Sequence, residues 1–408
     1  MALGKLWVIA YRDLGRNRRR SILTLLAVAL GLMLLIVLNS WIAGILADSL
    51  ENAIRLQTGH VQLRANSYEE EKVSLQWQDL LSDIDTLNAR ANALSEVRAA
   101  TPVLWATAVL NTADDSQGLR LYGIDTASAI YEPVRSTLVA GDFLTSDDRE
   151  GILLGQRLAS NLDLSVGQTV NLTIINSDGE PDEGTFTIRG LFSSGVPNYD
   201  NNAVFMPLAK AQAITRTAGR ASAIFVLLNR QEDAETVAAA LRTPEITALT
   251  WQEMNSLFIQ TFDTAMSFYV ILDAIVMLVV AVVIANTLLM AVFERVREIG
   301  ILAALGMKGR QIIVMFLMEA TILGLAGVVV GIGLSLIGVS YLANVGVSLG
   351  NMGDAAQSIA LSATMYARFV PDQMLSLSLW TLAIILLASL YPAWYAARME
   401  PVDALRGQ

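Results

Sequence analysis

Four stretches of this 408-residue chain are too long and too apolar for a fold bathed wholly in water. They cover residues 21–43, 267–292, 312–341 and 374–397. Each has at least the roughly 20 mostly apolar residues that cross a ~30 Å hydrocarbon layer as a helix. In lipid an isolated segment must satisfy its own backbone N–H and C=O groups, and a helix does so. Asp273 and Glu319 are the acidic residues inside these stretches. Trp41, Tyr269, Tyr341, Tyr391, Trp394 and Tyr395 fall near their ends, where interfacial aromatics collect. The first stretch exceeds the ~7–15-residue apolar core of a signal peptide, and no clear A-x-A site follows it, so it reads as a retained helix.

The charges between the stretches give an orientation. Residues 1–20, 293–311 and 397–408 together carry twelve Lys/Arg against five Asp/Glu. Residues 48–265 carry fifteen Lys/Arg against twenty-nine Asp/Glu. The positive-inside rule then puts both termini and the 293–311 loop in the cytoplasm, and residues 48–265 and 342–373 outside. Asp273 lies about 10 Å into its span from the outer end and Glu319 a similar distance from the inner end, at 1.5 Å per residue. They are not expected to meet; each reads as an interhelix hydrogen-bonding or solvated group, with proton or substrate handling as the alternative.

Residues 48–265 are long enough for a folded unit with its own core. Leu80, Ile84, Leu87 and Leu94 predict an amphipathic helix over 80–94. Residues 118–124, 166–175, 185–192 and 221–228 read as strands, 233–241 as a helix, and 176–184 as a polar turn between two strands. Strands and helices in irregular order indicate an α+β fold. The expected fold class is therefore an α-helical membrane protein with four transmembrane helices and a large α+β extracytoplasmic domain between the first and second.

Little catalytic chemistry is available. The chain has no Cys and a single histidine, His60, which excludes disulfides, Cys-ligated zinc, iron–sulfur clusters and imidazole-rich metal sites. No G-x-S-x-G elbow accompanies His60, and the acidic runs at 69–71, 147–148 and 182–183 miss the D-x-D-x-D-G spacing of a calcium loop. No catalytic or metal-binding residue is assigned. No G-x-x-x-x-G-K-[ST] loop is present to cradle ATP phosphates, so energised work needs ATP chemistry from another chain.

The 293–312 segment, FERVREIGILAALGMKGRQI, points to that chain. Glu294, Arg297 and Glu298 have the i, i+3, i+4 spacing of a salt-bridged helical turn. Ile299, Leu302 and Leu305 predict a short apolar stripe, and Gly306 a helix end. An ordinary interfacial connector would show the same periodicity. In the third span, Gly327 and Gly331 make a G-x-x-x-G pair that permits close helix packing, within the chain or in a dimer.

The loop, with Glu294, Arg295, Arg297, Glu298, Ile299, Gly300, Ile301, Leu302, Ala304, Leu305, Gly306, Gln311 and Ile312, resembles the E-R-x-R-E-I-G-I-L-x-A-L-G-x-x-x-x-Q-I pattern of FtsX/MacB-type ABC transporter permeases. The chain end, YPAWYAARMEPVDALR from Tyr391 to Arg406, resembles that family's closing Y-P-A-x-x-A-A-R-x-x-P-x-x-A-L-R. Residues 141–170 and 199–212 resemble its periplasmic core domain. The resemblance implies an inner-membrane, multi-pass subunit with a cytoplasmic amphipathic segment at 1–20, a coupling helix in 293–311 and a cytoplasmic tail at 398–408. It implies a separate cytoplasmic ATPase that uses ATP and Mg, a second permease chain of like or unlike sequence, and a lipoprotein substrate or periplasmic protein as partner. Neither nucleic acid nor a cofactor bound by this chain is expected. The lipoprotein-releasing branch is favoured over efflux, because efflux members fuse the ATPase ahead of the first span. Relay of ATPase state to a cell-wall hydrolase is the alternative. In the branch that recruits a periplasmic carrier, an extended hook joins two strands; the turn at 176–184 is short for that role.

Overall fold

The computed structural model describes residues 12, 16, 18–69, 72–112, 115–348 and 361–399. Over these residues the chain forms two compact units. One comprises Met1–Ile45, Phe262–Val347 and Tyr366–Gln408, the other Leu46–Thr261 and Ser348–Met365. Of the closing motif from Tyr391 to Arg406, the part beyond residue 399 lies outside the described residues.

The first unit is helical. Its elements are most of α1 (Arg18–Ala53) and of α2 (Ser256–Glu294), a short α3 (Val296–Ala304), α4 (Gly309–Val345) and α5 (Pro371–Ala397). Helices α1, α2, α4 and α5 are long and apolar enough to cross a membrane. At 1.5 Å per residue they run about 40–58 Å, well beyond the hydrocarbon thickness. In α1 no Pro or Gly follows Gly44 until Gly59, so the helix continues into the polar LADSLENA stretch, with an i,i+4 pair between Glu51 and Arg55. Gly59, at φ +68°, ends it.

Packing within the unit follows small residues. A Cβ built on Gly327 of α4 would lie 2.7 Å from Val28 of α1, and one on Gly331 would lie 3.0 Å from the Ala29 carbonyl. A Cβ on Gly338 would meet Val37 at 3.0 Å. Residue numbers rise together along this seam, so α1 and α4 run parallel. Against α2 they run oppositely: Gly31 faces Val280, and Asn39 donates to Asp273 at 3.1 Å. Gly324 faces Leu382 and Ile385 of α5, while Gly309 lies against Ala397, which makes α4 and α5 antiparallel. The N-terminus of α1, the α2–α3–α4 junction and the end of α5 therefore share one end of the unit. Asp273 and Glu319 do not meet; Asp273 takes Asn39 as its partner.

The second unit is built on one mixed sheet of ten strands. In chain order these are β1 (Val61–Ala65), β2 (Val97–Asn111), β3 (Ser116–Ile124), β4 (Leu138–Gly141), β5 (Gly151–Gly155), β6 (Thr169–Ile175), β7 (Pro181–Phe192), β8 (Ala203–Pro207), β9 (Ala223–Leu228) and β10 (Ile246–Thr250). The spatial order is β10-β1-β9-β2-β3-β8-β5-β7-β4, with β6 bridging β2 and β7. Pairs β3/β8 and β5/β7 are parallel and the others antiparallel. Successive side chains alternate faces. Val103, Trp105, Tyr122 and Phe205 join an aromatic core on one face. Leu104, Ala106, Leu121, Val204 and Met206 join an aliphatic core on the other. Burial on both faces explains why β8 and β5 read as apolar runs rather than alternations.

Two local expectations change. The helix expected over 80–94 is only Ile84–Asn92, because Leu81 instead bridges Ala221 and Asp83 adopts φ +52° just before the helix. The polar turn shortens to 176–180: the Asn176 carboxamide oxygen accepts from the backbone N–H groups of Asp178 and Glu180, and Asp182–Gly184 already pair with β6. His60 serves packing. Its Nδ1 accepts the Leu228 backbone N–H at 2.9 Å, and burial pushes its pKa down against the opposing pull of Glu232.

The glycine pair at 327 and 331 packs against α1 of the same chain and is not the face left for a dimer. Gly331→Leu should force α1 and α4 apart and lower stability by about 1–3 kcal/mol. At Gly333, where an added Cβ meets nothing within 4 Å, the same substitution should leave the unfolding midpoint in detergent nearly unchanged. Equal losses at the two positions would contradict the seam.

Candidate functional site

The shared end of the helical unit gathers the basic residues and the short helix α3. Helix α2 stops because Arg295 leaves helical geometry, at φ −118° and ψ 16°. Helix α3 starts one residue later and ends at Leu305. Gly306 then takes φ +90°, a left-handed conformation that favours glycine, and its N–H donates to the Ala303 carbonyl. The chain re-enters a helix after Lys308, whose N–H is capped by the Gln311 side chain at 3.0 Å.

The structure divides the apolar residues of α3 differently from the expected stripe. Ile299 is 3% exposed and packs inward with Val292, Ile312, Phe316 and Ala393. Leu302 is half-buried. The outward pair is Ile301 and Leu305, 45% and 80% exposed and one turn apart, with exposed Arg297 on the same line. Gly300, next to Ile299, is buried as well.

Among the described residues, Glu294 and Glu298 pair with arginines of α1 and its approach rather than with Arg297. Arg20 contacts Glu294 at 2.7 Å, and Arg16 contacts Glu298 at 2.6 Å. The other Arg20 nitrogen lies 4.0 Å from Glu319 of α4, which is only 2% exposed. Arg295 is buried. Arginine suits this task, since its planar fork serves two carboxylates at once. The reason for the change is geometric: the helix break at Arg295 puts Glu294 and Glu298 on separate elements that both face the N-terminus of α1. Ile301, Arg16, Arg20 and Glu319 thus belong to the site, although the helical spacing of the loop does not single them out. An i, i+4 arginine pair just before an apolar span is the one signal that hints at the network.

Comparison with known proteins bears on the whole chain. Residues 21–243 match the MacB-like periplasmic core domain, and residues 270–401 match the FtsX-like permease C-terminal domain. The lipoprotein-releasing system transmembrane protein LolC of Neisseria meningitidis serogroup B is 25% identical over 419 residues, covering 96% of this chain and 95% of that protein. An uncharacterized ABC transporter permease of Methanocaldococcus jannaschii is 22% identical over 290 residues, 68% of each chain. The crystal structure of the periplasmic region of MacB from Actinobacillus actinomycetemcomitans aligns with 52% of this chain and 97% of its own, at 16% identity and a TM-score of 0.36.

The two arginines should differ in weight. Arg16 and Glu298 are both well exposed, so Arg16→Met should cost less than about 1 kcal/mol. Arg20→Met removes a cation beside the buried Glu319 carboxylate and should cost about 3 kcal/mol, with Glu319→Gln recovering part of the loss. Thermal unfolding of the detergent-solubilised chain measures both.

Proposed function

Because the chain belongs to the FtsX/MacB-type family of ABC transporter permeases, we propose that it is the membrane subunit through which a separate ATPase drives lipoprotein release or export. In this reading α3 is the coupling helix. Ile301 and Leu305 seat in a cleft of the ATPase, and the exposed Arg297 pairs at its rim. The observation that carries the reading is that outward apolar pair on a short helix at the basic end of the helical unit. An exposed apolar pair at the basic end is the kind of surface that a docking partner covers.

The helix directions support the orientation. Parallel α1 and α4, each antiparallel to its other neighbour, bring Arg16, Arg20, Lys308, Arg310 and Arg398 to one end, and the positive-inside rule makes that end cytoplasmic. The acidic segment 48–265 is then the extracytoplasmic domain. ATP and Mg are handled by the partner ATPase, and a second permease chain completes the complex. Lipoprotein release is favoured over efflux by the similarity to a lipoprotein-releasing relative along nearly the full length of both chains. The tight turn at 176–180 supports a role other than recruiting a carrier through a hook. It is tied down by Ser177 N–H to the Thr215 carbonyl and by Arg216 to Asp178, Glu180 and Asp182.

Leu305→Asp should lower transport-coupled ATP hydrolysis of the purified permease–ATPase complex at least tenfold, or about 1.4 kcal/mol, by placing a carboxylate in an apolar seat. Leu302→Asp, on a half-buried position, should also disturb the fold of α3. Full coupled activity with Leu305→Asp would remove α3 from the docking role.

Orientation has its own check. The native chain has no cysteine, so single cysteines report without background. Ser177→Cys should react with a membrane-impermeant thiol reagent in cells with an opened outer envelope. Gly309→Cys should react only once the inner membrane is opened. The reverse pattern would put α3 where no ATPase reaches it.

A further inference from the structure

Within the second unit, an open cavity of about 630 Å³ lies where the ends of β3 and β8 meet the start of the helix Ile84–Asn92. Its charged lining is of one sign: Asp83, Asp85 and Asp125. Asp83 holds the cap position of that helix, yet at φ +52° its side chain makes no capping bond. Asp85 sits in the first turn of the same helix. Asp125 follows β3, and one of its oxygens accepts the Ala127 backbone N–H at 3.0 Å. Among the described residues, none of the three carboxylates joins an ion pair. Basic residues nearby in the chain are engaged elsewhere. Lys210 lies over the Phe186 ring at 5.4 Å, and Arg220 over the Trp77 ring at 4.4 Å. Arg135 donates to the Thr126 carbonyl at 2.6 Å but pairs with Glu132.

Acidic residues alone mark a solvated face. Two further observations separate this cavity from one. Its floor is apolar: Ile84 and Ile124 are 9% and 1% exposed, and Pro207 and Leu208 line the same space. Thr126, only 7% exposed, also lines it, and its hydroxyl bonds to no described residue. A buried hydroxyl without a protein partner is costly unless water or a ligand meets it.

The chemistry of the lining selects the ligand. No three His, Cys, Asp or Glu side chains among the described residues converge to hold a metal ion. Carboxylates that border an apolar floor without converging match ammonium groups spaced along an alkyl chain. The methylenes cover Ile84, Ile124 and Leu208, the ammonium groups meet the carboxylates, and the Thr126 oxygen accepts an N–H. The acidic excess of residues 48–265, twenty-nine Asp/Glu against fifteen Lys/Arg, adds a field that draws cations in.

We propose that this cavity binds an alkylpolyamine, held by Asp83, Asp85 and Asp125 with Thr126 fixing its depth. The site needs only the fold of the second unit and does not depend on the permease reading.

Calorimetric titration of the full chain with spermidine, in an uncharged detergent at fixed ionic strength, tests it. One-to-one binding is expected. Asp83→Asn, Asp85→Asn and Asp125→Asn preserve shape: Asn tolerates the left-handed backbone at 83 and keeps an acceptor for the Ala127 N–H. Each should weaken binding about fivefold, and Thr126→Val by a similar factor. Glu183→Gln, an exposed acid outside the cavity, should leave it unchanged, as should thermal unfolding midpoints across the set. Equal weakening by Glu183→Gln, or displacement of spermidine by magnesium at equal charge concentration, would reduce the effect to diffuse counterion binding and overturn the site. Binding indifferent to all four cavity substitutions would also overturn it. Tighter binding of tetralysine than of spermidine through the same residues would overturn the polyamine assignment in favour of a basic peptide.

Discussion

The glycine seam between α1 and α4 fixes the geometry on which the rest of the helical unit depends. In lipid there is no water to be released by burying apolar side chains, so close backbone approach and dispersion must hold helices together. Gly327 and Gly331 allow α1 to lie almost against the α4 backbone. That approach, between helices running the same way, brings Arg20 within reach of the buried Glu319 further along the seam. Larger residues at the glycines would move the cation off its carboxylate as well as part the helices.

The same end of the unit shows how a break can be more informative than a continuous element. Arg295 and Gly306 separate α2, α3 and α4. The cut frees α3 to turn Ile299 and Gly300 inward while leaving Ile301 and Leu305 in solvent. It also moves Glu294 and Glu298 onto elements that face α1, so the ion pairs tie the short helix to the first span. A partner pushing on α3 would therefore act on α1 as well as on its chain neighbours α2 and α4.

In the second unit, covering both faces of one sheet explains which strands were legible. β3, β6 and β7 alternate because parts of them border solvent, and β9 is bounded by turn residues, so all four are readable from pattern. The fifteen-residue β2, the hub that pairs with β3, β6 and β9, is apolar on both faces and carries no period-two signature. The tight turn at Asn176 was visible as polar residues, but its length depends on side-chain hydrogen bonds that close it early.

Four spans, a basic side, an acidic domain and the absence of any phosphate loop or thiol were determined by the sequence alone, because length, apolarity, charge and missing residue types are properties of the chain itself. The motif around Glu294 marked a segment that folds as a short helix between two spans. Tertiary structure alone decided which of its residues face outward, that Gly327 and Gly331 serve α1, and that Arg16 and Arg20 complete the site. Those outcomes depend on a helix break of one residue and on contacts between positions 274 to 302 apart in the chain. A helical period of 3.6 residues says which positions share a face, but only the neighbour that arrives against it says which face is buried.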